Sequence, residues 1–309
     1  MAFAAWRRDA LTVSGALAAV LVGTVLFGAG ATVWFGPLLV FFLTSTALSK
    51  GKKQIRQIAE SGYEKGSRRD AGQVLANGGL GAALCLLWAA RPDDAWWYAF
   101  VGVMAAVTAD TWATEIGALS RREPVAVVGL RRVPRGTSGA VSPLGTLAAA
   151  GGALAIGLSA WAFAALERVV TPLLQSWAEN GGRIPGAANA ALDGLARAGD
   201  GFWAEAAQTL ADLAAAVTAN WAQTAGGFLL VPAALAGGLA GAFTDSLLGA
   251  TVQRMNRCRA CGRLVEKAAH CGLPTERARG LAWMNNDAVN ALSSAAGGIV
   301  ALAVGLLAG

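Results

Sequence analysis

Asp110 and Glu115 stand where a membrane tolerates charge least. In VTADTWATEIG, Val107 to Gly117, they close a long apolar run, and an ionised group inside a span marks either a functional site or a paired structural charge. Five residues on a helix is about 140° of rotation, so the two share one ion only if the helix breaks near its end, which Gly117 would permit. Thr111 lies one turn from Glu115 and is in reach of it. The plainer reading is a carboxylate at the interface, paired with Arg121. A second acid, Asp245 in FTDSLLGATVQ, ends another apolar run, and WMNNDAVN (283–290) opens a third. There Asn286 and Asn290 are one turn apart and Asp287 is three before Asn290, so their oxygens face one way. Carboxylate and amide oxygens are hard ligands suited to Mg²⁺, above all when phosphate supplies the remaining positions. Asn286 and Asp287 could instead cap the helix, which would explain one or two of these residues and leave the cluster unexplained.

Basic and glycine-rich pieces lie between the acids. GSRRDAGQVLANGG (66–79) brings Arg68 and Arg69 to the start of an apolar run, and RRVPRGTSGAVS (131–142) joins Arg131 and Arg132 to Thr137 and Ser138. Backbone N–H groups at a helix start, with hydroxyls and arginines nearby, make an anion site. Neither piece is a Walker A sequence, and any single arginine is explained as well by membrane topology. Acids that could hold a metal, opposite arginines that could hold phosphates, suggest metal-assisted phosphoryl transfer. A separate constellation reads RMNRCRACGRLVEKAAHCG. It gathers Cys258, Cys261, His270 and Cys271, three of the four cysteines and the one histidine of the chain. Cys-x2-Cys followed by His-Cys supplies four ligands of the tetrahedral zinc type; free thiols or redox chemistry are the alternative. With that histidine committed to zinc no imidazole base remains, and a nucleophile that is already anionic would not need one. Cys85 lies within an apolar run and reads as core.

The elements that must position these residues are membrane helices. The chain has 309 residues, 55% hydrophobic and 14% charged, with a mean hydropathy of +0.49; a soluble domain carries about 25% charged residues. Seven spans are expected, at about 10–29, 31–48, 72–90, 96–119, 139–166, 226–252 and 286–308, giving an all-α polytopic membrane protein. The start mimics a signal peptide, with Arg7 and Arg8 before an apolar run and Ala-Gly-Ala at 29–31, but a second apolar run follows at once, which favours an uncleaved span. The N-terminus and the loops 49–71, 120–138 and 253–285 hold 21 of the 25 Lys and Arg residues. By the positive-inside rule these are cytoplasmic and the C-terminus is outside, so the +6 net charge needs no nucleic acid to explain it. Residues 167–225, with breakers at Pro172, Gly181, Gly182, Pro185 and Gly186, read as an outer helical insertion, and 253–285 as a cytoplasmic zinc-knuckle-like loop. Trp34, Trp96, Trp97 and Trp161 suit interface belts. GVMAAVTADT (102–111) and GGLAGAFTDS (237–246) align at a constant offset of 135, and 138–155 resembles 286–303. Such a duplication is parallel, not inverted as in many transporters, and puts Asp110 and Asp245 near the same surface.

Taken together, ADTWATEIG, GTSGAVSPLGT, TDSLLGATVQ, CxxC…VEK..HCG and NNDAVN resemble an uncharacterised-domain family of membrane proteins. That family includes transmembrane protein 19 of animals and the phytyl-phosphate kinase of plants and cyanobacteria, and the resemblance covers nearly all of the chain except 167–225. It implies a Mg²⁺-dependent kinase in the cell membrane, active at the cytoplasmic face, that converts an isoprenoid monophosphate to its diphosphate, as in phytol salvage for tocopherol. The donor would be a nucleoside triphosphate, with CTP the first choice. The roles implied are metal or phosphate sites for Asp110, Glu115, Asp245, Asp287, Asn286 and Asn290, with phosphate contacts from Arg68, Arg69, Arg131, Arg132, Thr137 and Ser138. Two rivals remain at this point: a transporter or flippase of phosphorylated lipids, and a nucleotidyl transferase making a CDP-lipid. Transport predicts polar residues through the whole membrane depth, whereas here they crowd one face. The chain length of the lipid and the oligomeric state are not encoded in any motif.

Overall fold

The computed structural model describes residues 2–50, 68–179 and 226–308. A short helix, α1 (Ala2–Arg7), precedes α2 (Val13–Lys50), α3 (Ala71–Ala90), α4 (Asp94–Gly117), α5 (Pro143–Glu179), α6 (Leu230–Thr251) and α7 (Asn286–Ala308). Among the described residues five helices are long and apolar enough to cross a membrane, within α2, α3, α5, α6 and α7. The chain is therefore a mostly helical membrane protein. The central α4 is absent from that set because its own Asp and Thr residues dilute its apolar run.

At 38 residues α2 is far longer than one crossing needs, and it is folded in two. Ala31 takes φ 53° and ψ −150°, and beyond it the chain returns. Phe27 and Phe35 rings are 5.7 Å apart, and a Cβ at Gly23 would lie 3.6 Å from the ring of Phe35; in a straight helix residues 23 and 35 are about 18 Å apart. Residues 13–30 and 32–50 are thus antiparallel neighbours, where the sequence led us to expect two spans at 10–29 and 31–48. Trp34 belongs to the core and not to an interface belt. It is 2% exposed, and its ring lies 4.6–5.6 Å from those of Trp88, Trp97 and Phe100. An aromatic cluster closes the end of the bundle where α2 turns and α3 meets α4.

The first compact unit, Met1–Ala160 with Leu230–Gly309, is built on α4, α6 and α7. These meet at glycines. A Cβ on Gly237 would lie 2.5 Å from the carbonyl of Gly297 and 3.2 Å from Cα of Gly102, so the three backbones touch where small residues permit it. One turn on, a Cβ at Gly241 would meet Ala106, and one at Gly238 would meet the Ala105 carbonyl at 3.2 Å. Helices α4 and α6 therefore run parallel and in register. Along α7 the partners descend in number, Ala301 beside Gly102 and the Ser293 carbonyl beside Gly241, so α7 is antiparallel to both. Ser142 starts α5 by accepting the N–H of Gly145, with Pro143 in the first turn where its missing donor costs nothing. The second unit, Trp161–Leu229, holds the rest of α5 and a 3₁₀ turn, Gly226–Leu229, with Trp161 edge-on to Phe228. Helix α5 runs on through Pro172 to Glu179, so the expected break at Pro172 does not end it. The remainder of the outer insertion, 180–225, lies outside the described residues.

The loops at one end add short strands to an otherwise helical chain. β1 (Val125–Ala126) pairs with β2 (Ala140–Val141). After α6, β3 (Met255–Arg257) is flanked antiparallel by β4 (Leu264–Val265) and β7 (Glu276–Arg279), while β5 (Ala269–His270) pairs with β6 (Leu273–Pro274).

Candidate functional site

Helix period places the acids. On α4 the stripe Gly102, Ala106, Asp110 recurs every four residues, and on α6 the stripe Gly237, Gly241, Asp245 does the same. Because the glycines of the two stripes touch, the two carboxylates come off neighbouring helices at one level, and Asp245 lies within electrostatic reach of Asp110. Helix α7 adds Ser293, whose hydroxyl donates to Asp245 Oδ2 at 3.4 Å. Asn290 and Asn286 extend the Gly297–Ser293 stripe toward the same end. The cap of α7 is Asn285, whose side chain accepts the N–H of Ala288 at 2.9 Å. The Ala288 cap bond is therefore made by Asn285 and not by Asn286 or Asp287; all three of Asn286, Asp287 and Asn290 are partly buried.

Glu115 takes a different direction. Helix α4 continues without a break to Gly117, and Glu115 Oε1 accepts the hydroxyl of Ser49 at 2.8 Å, across from the end of α2. It thus lies at the same end of the bundle as Asp110 but on another face, as the 140° spacing requires. Among the described residues no group of three or more acidic side chains gathers as a preformed metal cage. Two aspartates with an amide stripe opposite are a hard-oxygen set of the kind Mg²⁺ shares with phosphate.

The basic candidates divide. Arg68 faces Asp9 at 3.6 Å on the surface, while Arg69 is held by its backbone to Ala10 and Thr12 with its guanidinium 5.4 Å over the Phe41 ring. Arg131 and Arg132 are exposed. Thr137 donates to the carbonyl of Pro134 within its own turn. Ser138 donates to the side chain of Gln253, and Gln253 in turn donates to Glu266 at 3.0 Å. This chain of contacts was not foreseen. Glu266 is 7% exposed and within electrostatic reach of Asp245, so the loop between α6 and α7 delivers a further carboxylate to the site. The only sequence signal was its place in the VEK motif, since nothing in a loop's periodicity says that β4 will carry it inward. Arg279 reinforces the join by donating to the carbonyls of Gly249 and Ala250 at 2.9 and 2.8 Å, the unpaired C-terminal end of α6.

The same loop brings Cys258, Cys261, His270 and Cys271 together, with one ligand atom from each lying within 4.8 Å of the others. Sulfurs around zinc at about 2.3 Å must stand roughly this close, so the four residues fit a tetrahedral ion. The backbone turns through Gly262 and Gly272, at φ 72° and 76°, which only glycine adopts without strain. The N–H of Cys261 and then the His270 ring hold Cys258 down at about 6. Cys271 is pushed up to about 11, first by its contact with Cys261.

Comparison with known proteins bears on this arrangement. Residues 1–298 match the family described as Integral membrane protein DUF92. The chain belongs to that family. Within DUF92 it is similar to Protein PGR of Arabidopsis thaliana, 27% identical over 95% of this chain and 88% of the relative. It is also similar to the uncharacterized membrane protein sll0875 of Synechocystis, 36% identical over 40% of this chain and 50% of that protein. Protein VTE6, chloroplastic, of Arabidopsis thaliana is 28% identical over 45% of this chain and 43% of its own length, so the chain spans about half or less of these last two. No solved structure matches this DUF92 chain.

Proposed function

We propose that this DUF92 protein is a membrane-embedded kinase that transfers the terminal phosphate of a nucleoside triphosphate to an isoprenoid monophosphate. The observation that carries the reading is the meeting of Asp110, Asp245 and the Asn286–Asn290 stripe at one end of the three-helix core. The acceptor oxygen of a phosphate monoester is already anionic, so no base has to be provided. That oxygen bonds to the donor's terminal phosphorus, the bond to the bridging oxygen breaks, and the nucleoside diphosphate leaves with the electron pair. Asp110, Asp245, Asn286, Asp287 and Asn290 would hold Mg²⁺, which supplies charge neutralisation between the two phosphorylated substrates. Glu266 and Gln253 hold the loop against the site, and Arg69, Arg131 and Arg132 would contact phosphate. Zinc at Cys258, Cys261, His270 and Cys271 would fix the loop that carries Glu266.

The membrane arrangement belongs to the same proposal. Seven crossings, the two halves of α2 followed by α3 to α7, put the N-terminus and every loop of the site in the cytoplasm and the C-terminus outside, in the cell membrane. The in-register parallel packing of α4 and α6 supports a duplicated ancestor. CTP is our first choice of donor. The test is purified protein in detergent with Mg²⁺, phytyl or geranylgeranyl monophosphate, and each nucleoside triphosphate in turn, with lipid products weighed. A gain of one phosphate is expected. A CMP adduct would make the protein a nucleotidyl transferase, and no product with any donor would favour transport.

A further inference from the structure

A cleft opens between the two halves of α2 and the first turns of α3. Three sides are hydrocarbon. Val22 comes from the first half of α2, and Phe35, Leu38 and Phe42 from the returning half. From Phe42 to Phe35 is about 10 Å along the helix axis, so the apolar wall runs well below the surface. The wall from α3 is largely apolar too, through Val74 and Gly78, with Gln73 and Asn77 one turn apart on the helix and Arg69 just before it at one end. Arg69 stands at the end where the chain enters α3, which is the end shared by Asp110, because α3 and α4 are antiparallel neighbours joined by a short turn. Its position is built in: Arg69 N–H donates to Ala10 at 3.1 Å, and its carbonyl accepts from Thr12 at 3.0 Å.

An apolar cleft with one cation in its wall, at the end shared by Asp110, describes the complement of a single-chain amphiphile with an anionic head. Resting on the kinase reading above, we infer that this cleft holds the isoprenoid chain of the lipid monophosphate, with its phosphate beside Arg69. The chain is then measured by protein and not left in bulk lipid. Such a cleft discriminates by length, because a chain longer than the cleft meets packed side chains at its closed end and must displace them. The narrow end between Gly23 and Phe35 sets the limit: Gly23 has no side chain, and a Cβ there would already be in contact with the Phe35 ring at 3.6 Å.

The test is photolabelling of the full-length protein in detergent with diazirine-bearing geranylgeranyl monophosphate, followed by peptide mass mapping. Label is expected on α2 and the start of α3, suppressed by unlabelled geranylgeranyl monophosphate and not by phosphatidylglycerol. Gly23→Phe and, independently, Leu38→Trp fill the cleft and are expected to cut that label about tenfold while phosphorylation of a five-carbon prenyl monophosphate persists. Label confined to α4, α6 and α7, or suppression by phosphatidylglycerol alone, would overturn the inference; the latter would mean a resident phospholipid. Labelling needs no turnover. A labelled cleft without product would therefore sink the kinase reading and spare the cleft, and product without cleft label would do the reverse.

Discussion

At the residue scale the account rests on which carboxylates share a face. Asp110 and Asp245 follow touching glycines by the same eight residues, whereas Glu115 is turned to Ser49. Removing a group that stabilises transition-state charge costs about 10²–10³ in kcat. Asp110→Asn is expected to show that loss, and Glu115→Gln to stay within about tenfold of wild type; equal losses would return Glu115 to the site. That the two aspartates come together was legible in the sequence, because an acid ending an apolar run is rare and the two follow similar stretches, 102–111 and 237–246. The split between Asp110 and Glu115 was legible only as an angle, since continuity of α4 decides it. Ser293, Gln253 and Glu266 were not legible as site residues, because polar residues of those types are ordinary in helix ends and loops. Tertiary contact alone distinguishes them.

Elements decide how firmly those residues are held. The α4–α6–α7 crossing has no room at Gly237, where a Cβ would be 2.5 Å from the Gly297 carbonyl. Overpacking of this kind costs about 1–3 kcal/mol, so Gly237→Leu is expected to lower the thermal midpoint of the purified protein markedly, and Gly28→Leu, where nothing stands within 4 Å, to leave it unchanged. The zinc-type loop is a separate element. Chelation or Cys258→Ser is expected to release one zinc per chain by native mass spectrometry and to speed amide exchange through 253–285, with helical content retained. Exchange unchanged on metal removal would show that the strands stand without it. Five long apolar helices were legible from hydropathy, and so was the turn in α2, as two runs meeting near Ala31. The role of Trp34 was not. A tryptophan near a span end suits an interface and a core equally by sequence, and its burial follows from Trp88 and Trp97 arriving from other helices.

For the whole molecule the decisive property is sidedness. Arg69 pairs with Leu11, Ser49 reaches Glu115 and Ser138 reaches Gln253, so the described residues bordering the four Lys- and Arg-rich segments lie at one end. Charge distribution therefore announced this before any contact did, whereas the approach of Glu266 to Asp245 depended on folding within the α6–α7 loop. Asp9→Cys, Arg122→Cys and Arg263→Cys are expected to react with an impermeant maleimide only in inside-out vesicles, and Asp93→Cys only in right-side-out ones. Labelling of Arg122→Cys and Asp93→Cys from the same side would break the proposed topology.

The most direct measurement is a double-mutant comparison of phosphate transfer by Asp110→Asn, Asp245→Asn and the protein carrying both. If the two carboxylates serve one ion, each single change removes the same unit, and the double is no slower than the worse single. Losses that multiply would assign the two residues to separate tasks, and full activity in either single variant would contradict the shared site.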